Sequence, residues 1–181
     1  MTDSPLLIVG LGNPGAQYAP TRHNVGVMLI DELTSRTSPM PATLAVHKRT
    51  NTEIAETRLG GRRVILARMR SFMNVSGGPV KALANFFKVE PANLVVVHDE
   101  LELDFGQVRL KLGGGDHGHN GLKSVSKSLG TKEYQRLAIG IGRPPGRMDP
   151  ASFVLKPFSS KEAAELPFVL GDAADELERS L

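Results

Sequence analysis

The 181-residue sequence contains no cysteine. That absence removes disulfides, thiolate zinc sites and cysteine nucleophiles together. Long hydrophobic runs are missing too: apolar residues make up 40% of the chain, yet no segment approaches the ~18 consecutive apolar residues that a membrane span needs. The opening MTDSPLLIVG has no basic region before its short apolar run, so no signal peptide is expected. There is no G-x-S-x-G elbow and no serine at a strand end beside a histidine, which leaves serine nucleophilic catalysis without its parts. Repeats, long linkers and low-complexity stretches are also lacking. Together these absences predict a cytoplasmic protein built as one domain spanning residues 1–181, with enough apolar residues for a sizeable core.

What the chain does have is an uneven charge. The net charge is only +3, but residues 157–181 carry a net −4 and residues 1–156 a net +7. Within 105–147, eight basic residues (Arg109, Lys111, Lys123, Lys127, Lys132, Arg136, Arg143 and Arg147) face only Asp116 and Glu133. Such asymmetry suggests a polyanionic partner, although a solvated basic face has the same appearance.

Read in order, LLIVGL (6–11) is a buried strand. NVGVMLIDELTSR (24–36) has helical spacing with Asn24 placed as its N-cap. SPMPA (38–42) is a connector. TEIAETRL and RRVILARM flank Gly60-Gly61 as a hairpin. PVKALANFFKV (79–89) is a helix with proline in its first turn, and NLVVVHDE (93–100) is another buried strand. GQVRLKL and YQRLAIGIG are further strands, with GLKSVSKSL between them as a helix. The tail SSKEAAELPFVLGDAADELERSL is helical and breaks near Pro167 or Gly171. Strands and helices alternate, and the central strands are apolar throughout. The expected fold is therefore a single α/β domain, a twisted, mostly parallel or mixed β-sheet flanked by helices on both faces.

Gly10, Gly12 and Gly15 in VGLGNPG satisfy the G-x-G-x-x-G spacing of a dinucleotide-binding turn. Context rejects that reading. The fingerprint needs a helix starting at the third glycine, aimed at the pyrophosphate. Here AQYAPTRHN follows Gly15, with Pro20 inside it, and helical spacing begins only near Asn24. The acidic residue expected about 20 positions on, after a second strand, is absent. What remains is a strand whose carboxyl end releases a loop bearing Asn13, Tyr18, Arg22 and His23. NLVVV likewise delivers His98, Asp99 and Glu100, while FMNVSGG (72–78) and GGGDHGHNG (113–121) each precede a helix. Four polar loops thus converge on the edge of the sheet where open α/β folds place their sites.

Those loops suit a histidine acting as general base on water, with an aspartate fixing its tautomer. Their asparagines are neutral amide donors for an oxygen that gains charge. A metal is a weaker reading: His117 and His119 alternate beside the carboxylates of HDELELD, without a fixed ligand spacing.

Five motifs then agree. GLGNPGAQYAPTRHNVG, SFMNVSGG, HDELEL, KLGGG with GHNGLKS, and RLAIGIGRP lie in order from residue 10 to 144, and together they resemble the bacterial peptidyl-tRNA hydrolase family. The resemblance implies hydrolysis of the ester between a peptide and the 3′-terminal ribose of tRNA. His23 in TRHN is then the base, and Asp99 in HDE orients it. Asn13 in GNPG binds the peptide group of the substrate and so discriminates against a free amine. Tyr18, Phe72, Asn74 and Asn120 line the site. The family also implies a monomer without metal or cofactor. Lys111, Lys123 and Arg136 are the expected contacts to the tRNA backbone, which needs shape and charge more than base reading. The helix after Asn120 offers its N-terminus to a phosphate, and the acidic tail is expected to pack away from the RNA.

The sequence departs from the family pattern at two places. His117 stands where the glycine loop usually has a small residue, and Ala138 stands where a basic residue often precedes IGIG. Arg136, two residues earlier on the same strand face, is the expected substitute. Residues 143–158, with RPPGRMDP, form a loop at the edge of the motifs. Two other readings stay open at this point: a non-catalytic RNA-binding domain, and a small-molecule enzyme on a similar scaffold.

Overall fold

The computed structural model describes residues 4–181. One seven-stranded sheet has the order β2-β3-β4-β1-β5-β7-β6. Its strands are β1 (Leu6–Gly10), β2 (Ala45–His47), β3 (Thr52–Leu59), β4 (Arg62–Met69), β5 (Leu94–Glu100), β6 (Val108–Leu112) and β7 (Gln135–Gly140). β1 runs parallel to β4 and β5, and β5 parallel to β7. The β2–β3, β3–β4 and β6–β7 pairs are antiparallel. Every residue of β1 and β5 is buried, as expected for strands covered on both faces.

The helices are α1 (Val25–Thr34), α2 (Gly77–Phe87), α3 (Asn120–Leu129), α4 (Pro150–Val154) and α5 (Ser160–Arg179). Successive residues of a strand point to opposite faces, and β1 divides accordingly. Leu6 and Ile8 pack with Leu29 of α1 and Ala173 and Leu177 of α5, whereas Leu7 and Val9 pack with Leu83 of α2 and Leu122 and Val125 of α3.

Gly10 is needed here for packing. A Cβ at Gly10 would lie 2.4 Å from the Gly26 carbonyl, and one at Gly26 would lie 2.4 Å from the Val97 carbonyl. The paired glycines let α1 cross close over the carboxyl ends of β1 and β5. That places the turn before α1 at the edge of the sheet where the polar loops gather.

Three local expectations change. Residues Arg22–Asn24 form a 3-10 turn, and the Asn24 side chain does not cap α1, because both ends of its amide are held by the Asn13 backbone. The tail is one continuous helix through Pro167 and Gly171. A capping box between Ser159 and Glu162 starts it, and burial of Val169, Ala173, Ala174 and Leu177 outweighs the backbone hydrogen bond that proline cannot make. Residues 150–154 of the expected loop are helical, started by Asp149 as N-cap and Pro150 in the first turn. Among the described residues no helix is long and apolar enough to cross a membrane.

Candidate active site

Asn13, Tyr18, His23, Phe72, Asn74, Asp99 and Asn120 all line one cleft of about 590 Å³ at the carboxyl ends of the central strands. They come from separate segments of the chain. Asp99 sits near the end of β5, His23 in the 3-10 turn, Asn74 in the 3-10 turn before α2, and Asn120 at the first turn of α3. α4 and its flanks complete the lining as a further wall, with Pro150, Val154 and Leu155. Tyr18 and Phe72 meet edge to face at 6.1 Å, forming an aromatic rim, and Phe72 is 55% exposed.

Asp99 is the centre of the arrangement. Its Oδ2 lies 2.9 Å from His23 Nδ1, and its Oδ1 lies 2.8 Å from His119 Nε2. Burial pushes this carboxyl up, but its two imidazole partners outweigh burial and hold it well below the usual carboxylate range. An ionised carboxylate only accepts, so both imidazoles donate to it. The tautomer of His119 is fixed independently: its Nδ1 accepts the backbone N–H groups of Gly121 and Leu122 at 3.1 and 3.2 Å, so the proton is on Nε2. Gly121 makes this cap compatible with packing, since a Cβ there would lie 2.6 Å from Met73 Sδ.

With Nδ1–H bound to Asp99, His23 presents its Nε2 lone pair to the cleft. His23, Asp99 and His119 bring one potential metal ligand each within 4.8 Å of one another. Yet both Asp99 oxygens accept imidazole protons, and the outward nitrogen of His119 bears one. The donors are arranged as a hydrogen-bonded chain with one free lone pair, which suits proton abstraction better than coordination.

Asn13 is held from two sides. Its backbone N–H donates to Asn24 Oδ1 at 2.9 Å and its carbonyl accepts from Asn24 Nδ2 at 2.8 Å. Its side-chain Oδ1 accepts the Met73 N–H at 2.7 Å, so its Nδ2 is left as a donor with no protein partner among the described residues.

The cationic residues lie elsewhere. Lys123 is exposed on α3, and Lys111 is exposed on β6 opposite Arg136 of β7. Arg136 itself is only 5% exposed. Its guanidinium donates to the carbonyls of Gly115 and Lys132 and lies over the Tyr134 ring. It therefore braces the glycine loop from within, whereas the sequence reading expects it as a tRNA contact in place of the basic residue missing at Ala138. His117 adopts a left-handed backbone (φ 51°) and pairs with Glu100 at 2.8 Å on the cleft wall.

His119 is the site residue that sequence reasoning passed over, having weighed it only as half of an H-x-H metal pair. Its position directly before Asn120, at the start of a helix, is the signal that was available. Asn24 has the position of a cap but acts as a clamp on Asn13, and α4, at five residues, is too short to show a helical period in the sequence.

The sequence profile of the family described as peptidyl-tRNA hydrolase matches residues 7–181. The peptidyl-tRNA hydrolase of Corynebacterium diphtheriae is 64% identical over 97% of this chain and 96% of that protein. Peptidyl-tRNA hydrolase 1 of Corynebacterium glutamicum is 62% identical over 100% of this chain and 98% of its own length. The crystal structure of peptidyl-tRNA hydrolase from Acinetobacter baumannii superposes with a TM-score of 0.89 at 32% identity, covering 98% of this chain and 89% of that one. On both sequence and structure, the chain belongs to the peptidyl-tRNA hydrolase family.

Proposed function

We propose that this protein hydrolyses the ester bond between a peptide and the 3′-terminal ribose of tRNA, freeing the tRNA for reuse. The observation that carries the reading is the chain His119–Asp99–His23, which leaves one imidazole lone pair at the wall of a cleft, in a member of this family. His23 Nε2 takes a proton from water as the water oxygen attacks the ester carbonyl. Asp99 stabilises the imidazolium that forms. Asparagine amides in the cleft, Asn74 and Asn120 among them, donate to the oxyanion. The imidazolium then returns its proton to the departing 3′-oxygen. His119 acts one step back by holding the other oxygen of Asp99.

Asn13 Nδ2 supplies the donor for the carbonyl of the substrate's first peptide group, the feature that a free aminoacyl ester lacks. Tyr18 and Phe72 offer ring faces to the unpaired end of the tRNA, and Lys111 and Lys123 supply phosphate contacts. The acidic helix α5 and the lysine-bearing helix α3 pack on opposite faces of the sheet, which keeps the carboxylates away from the RNA. The reading includes a monomer acting in the cytoplasm, where translation takes place.

The test compares an N-acetylated aminoacyl-tRNA with the same tRNA carrying a free amine. Wild type is expected to cleave the blocked substrate selectively, and Asn13→Ala to lose about 1–3 kcal/mol of that preference. Folded wild type that binds tRNA and cleaves neither would refute the assignment. An unchanged preference in Asn13→Ala would move the discrimination to another residue.

A further inference from the structure

A buried cation stands beside the base without entering the proposed reaction. The Arg22 side chain is 8% exposed. Its Nη2 donates to Glu162 Oε1 at 2.8 Å and its Nη1 to the Phe153 carbonyl at 3.4 Å, and the guanidinium lies 4.0 Å over the Phe153 ring. The backbone joins in: the Arg22 N–H donates to the Lys156 carbonyl at 3.1 Å, and Thr21 bridges Pro157. One dipeptide thus holds the end of α4 through both side chain and main chain.

α4 needs such an anchor. It has five residues, far below the length at which a helix is stable by itself, and its main packing partner is the 22–24 turn. Yet Pro150 and Val154 of α4, with Leu155 just after it, make one wall of the cleft. Glu162 has a second task, since its Oε1 also accepts the Ser159 N–H that opens α5. The Arg22–Glu162 pair is therefore a junction of the turn, α4 and α5.

The base is tethered differently. His23 is held by Asp99, and the turn's last residue, Asn24, by the Asn13 backbone. We infer that Arg22 is a positioning residue that fixes the α4 wall through Phe153 and Glu162, and so sets the width of the substrate cleft separately from the base. This rests on the hydrolase reading above.

Steady-state kinetics on N-acetylated aminoacyl-tRNA test it, with the fold of each variant checked by circular dichroism and thermal melting. Hydrogen bonds to a charged group are worth about 1.5–3 kcal/mol, so Arg22→Met is expected to raise KM about tenfold or more, with kcat close to wild type. Arg22→Lys, which keeps the charge near Glu162 but not the second bond, is expected to lie between. A lowered melting temperature with wild-type KM would make Arg22 merely structural and overturn the inference. A collapse of kcat at unchanged KM would also overturn it, because Arg22 would then act on the base. Should Arg22→Met fail to fold, Glu162→Gln keeps the bond to Ser159 while removing the charge, and the same KM rise or its absence decides. Failure of the hydrolase reading itself is seen separately, as wild type that cleaves nothing.

Discussion

Asp99 and His98 are neighbours on β5, and both are almost fully buried, but burial treats them in opposite ways. Asp99 meets two imidazoles and stays ionised. The His98 ring finds one backbone carbonyl, that of Asp99 at 2.9 Å, and the edge of His119. Burial, reinforced by His119, pushes its pKa down from 6.5 to about 4. The unfolded chain takes up this proton near pH 6.5 and the folded chain only near 4. The stability His98 permits is therefore complete above about 6.5 and declines as pH falls through that window, by about 1.4 kcal/mol per unit. Asp99, held below its ordinary value of 3.8, adds stability that is lost only at lower pH. Urea titrations at pH 7 and pH 5 are expected to show a marked loss in wild type and a smaller one in His98→Gln. Equal losses would exclude His98 as the responsible group. At this scale the sequence was legible where a motif surrounds the residue, as for His23 in TRHN and Asp99 in HDE. It was not legible for His119, whose place depends on the second oxygen of a carboxylate 20 residues away. No local pattern encodes which carboxylate oxygen is free.

Helix α5 shows the same limit among the elements. Pro167 and Gly171 are the residues that ordinarily end a helix, yet α5 runs from Ser160 to Arg179 without a break. Pro167 is exposed, so it contributes no packing that compensates for the bond it cannot make. The continuity comes from the buried stripe that follows it and from Arg36, which binds Glu32 of α1 together with Asp175 and Glu178 of α5. Pro167→Ala is accordingly expected to stabilise the fold by up to about 3 kcal/mol, read as a rise in melting temperature at unchanged activity. A lower melting temperature would mean that the proline shapes the helix to fit its neighbours. The buried strands and the Gly60-Gly61 hairpin were readable because apolar runs and turn glycines are local signals. The three-residue β2 and five-residue α4 were not, being too short for any period to show and held in place by distant partners.

Across the whole molecule, charge and chemistry are separated in space. The cleft holds the histidines and asparagines, while Lys111 and Lys123 lie outside it on β6 and α3. Such an arrangement suits a long polyanion lying along the surface while its ester-bearing end enters the cleft. Neutralising Lys111 and Lys123 is expected to weaken tRNA binding and to flatten the plot of log affinity against log salt by about 1 per lysine. An unchanged slope would place the phosphate contacts elsewhere. The charge asymmetry was visible in the sequence, but which cations are free was not. Arg136 looks like its neighbours in the sequence, yet it is consumed by backbone carbonyls in the fold.

The most direct test of the account is release of free tRNA from an N-acetylated aminoacyl-tRNA by wild type and by His23→Ala under single-turnover conditions. The account predicts rapid release by wild type and a rate lower by about 10²–10⁴ in the variant, at similar tRNA affinity. A His23→Ala protein that releases tRNA as fast as wild type would contradict it, because the free lone pair at the cleft wall would then have no part in the chemistry.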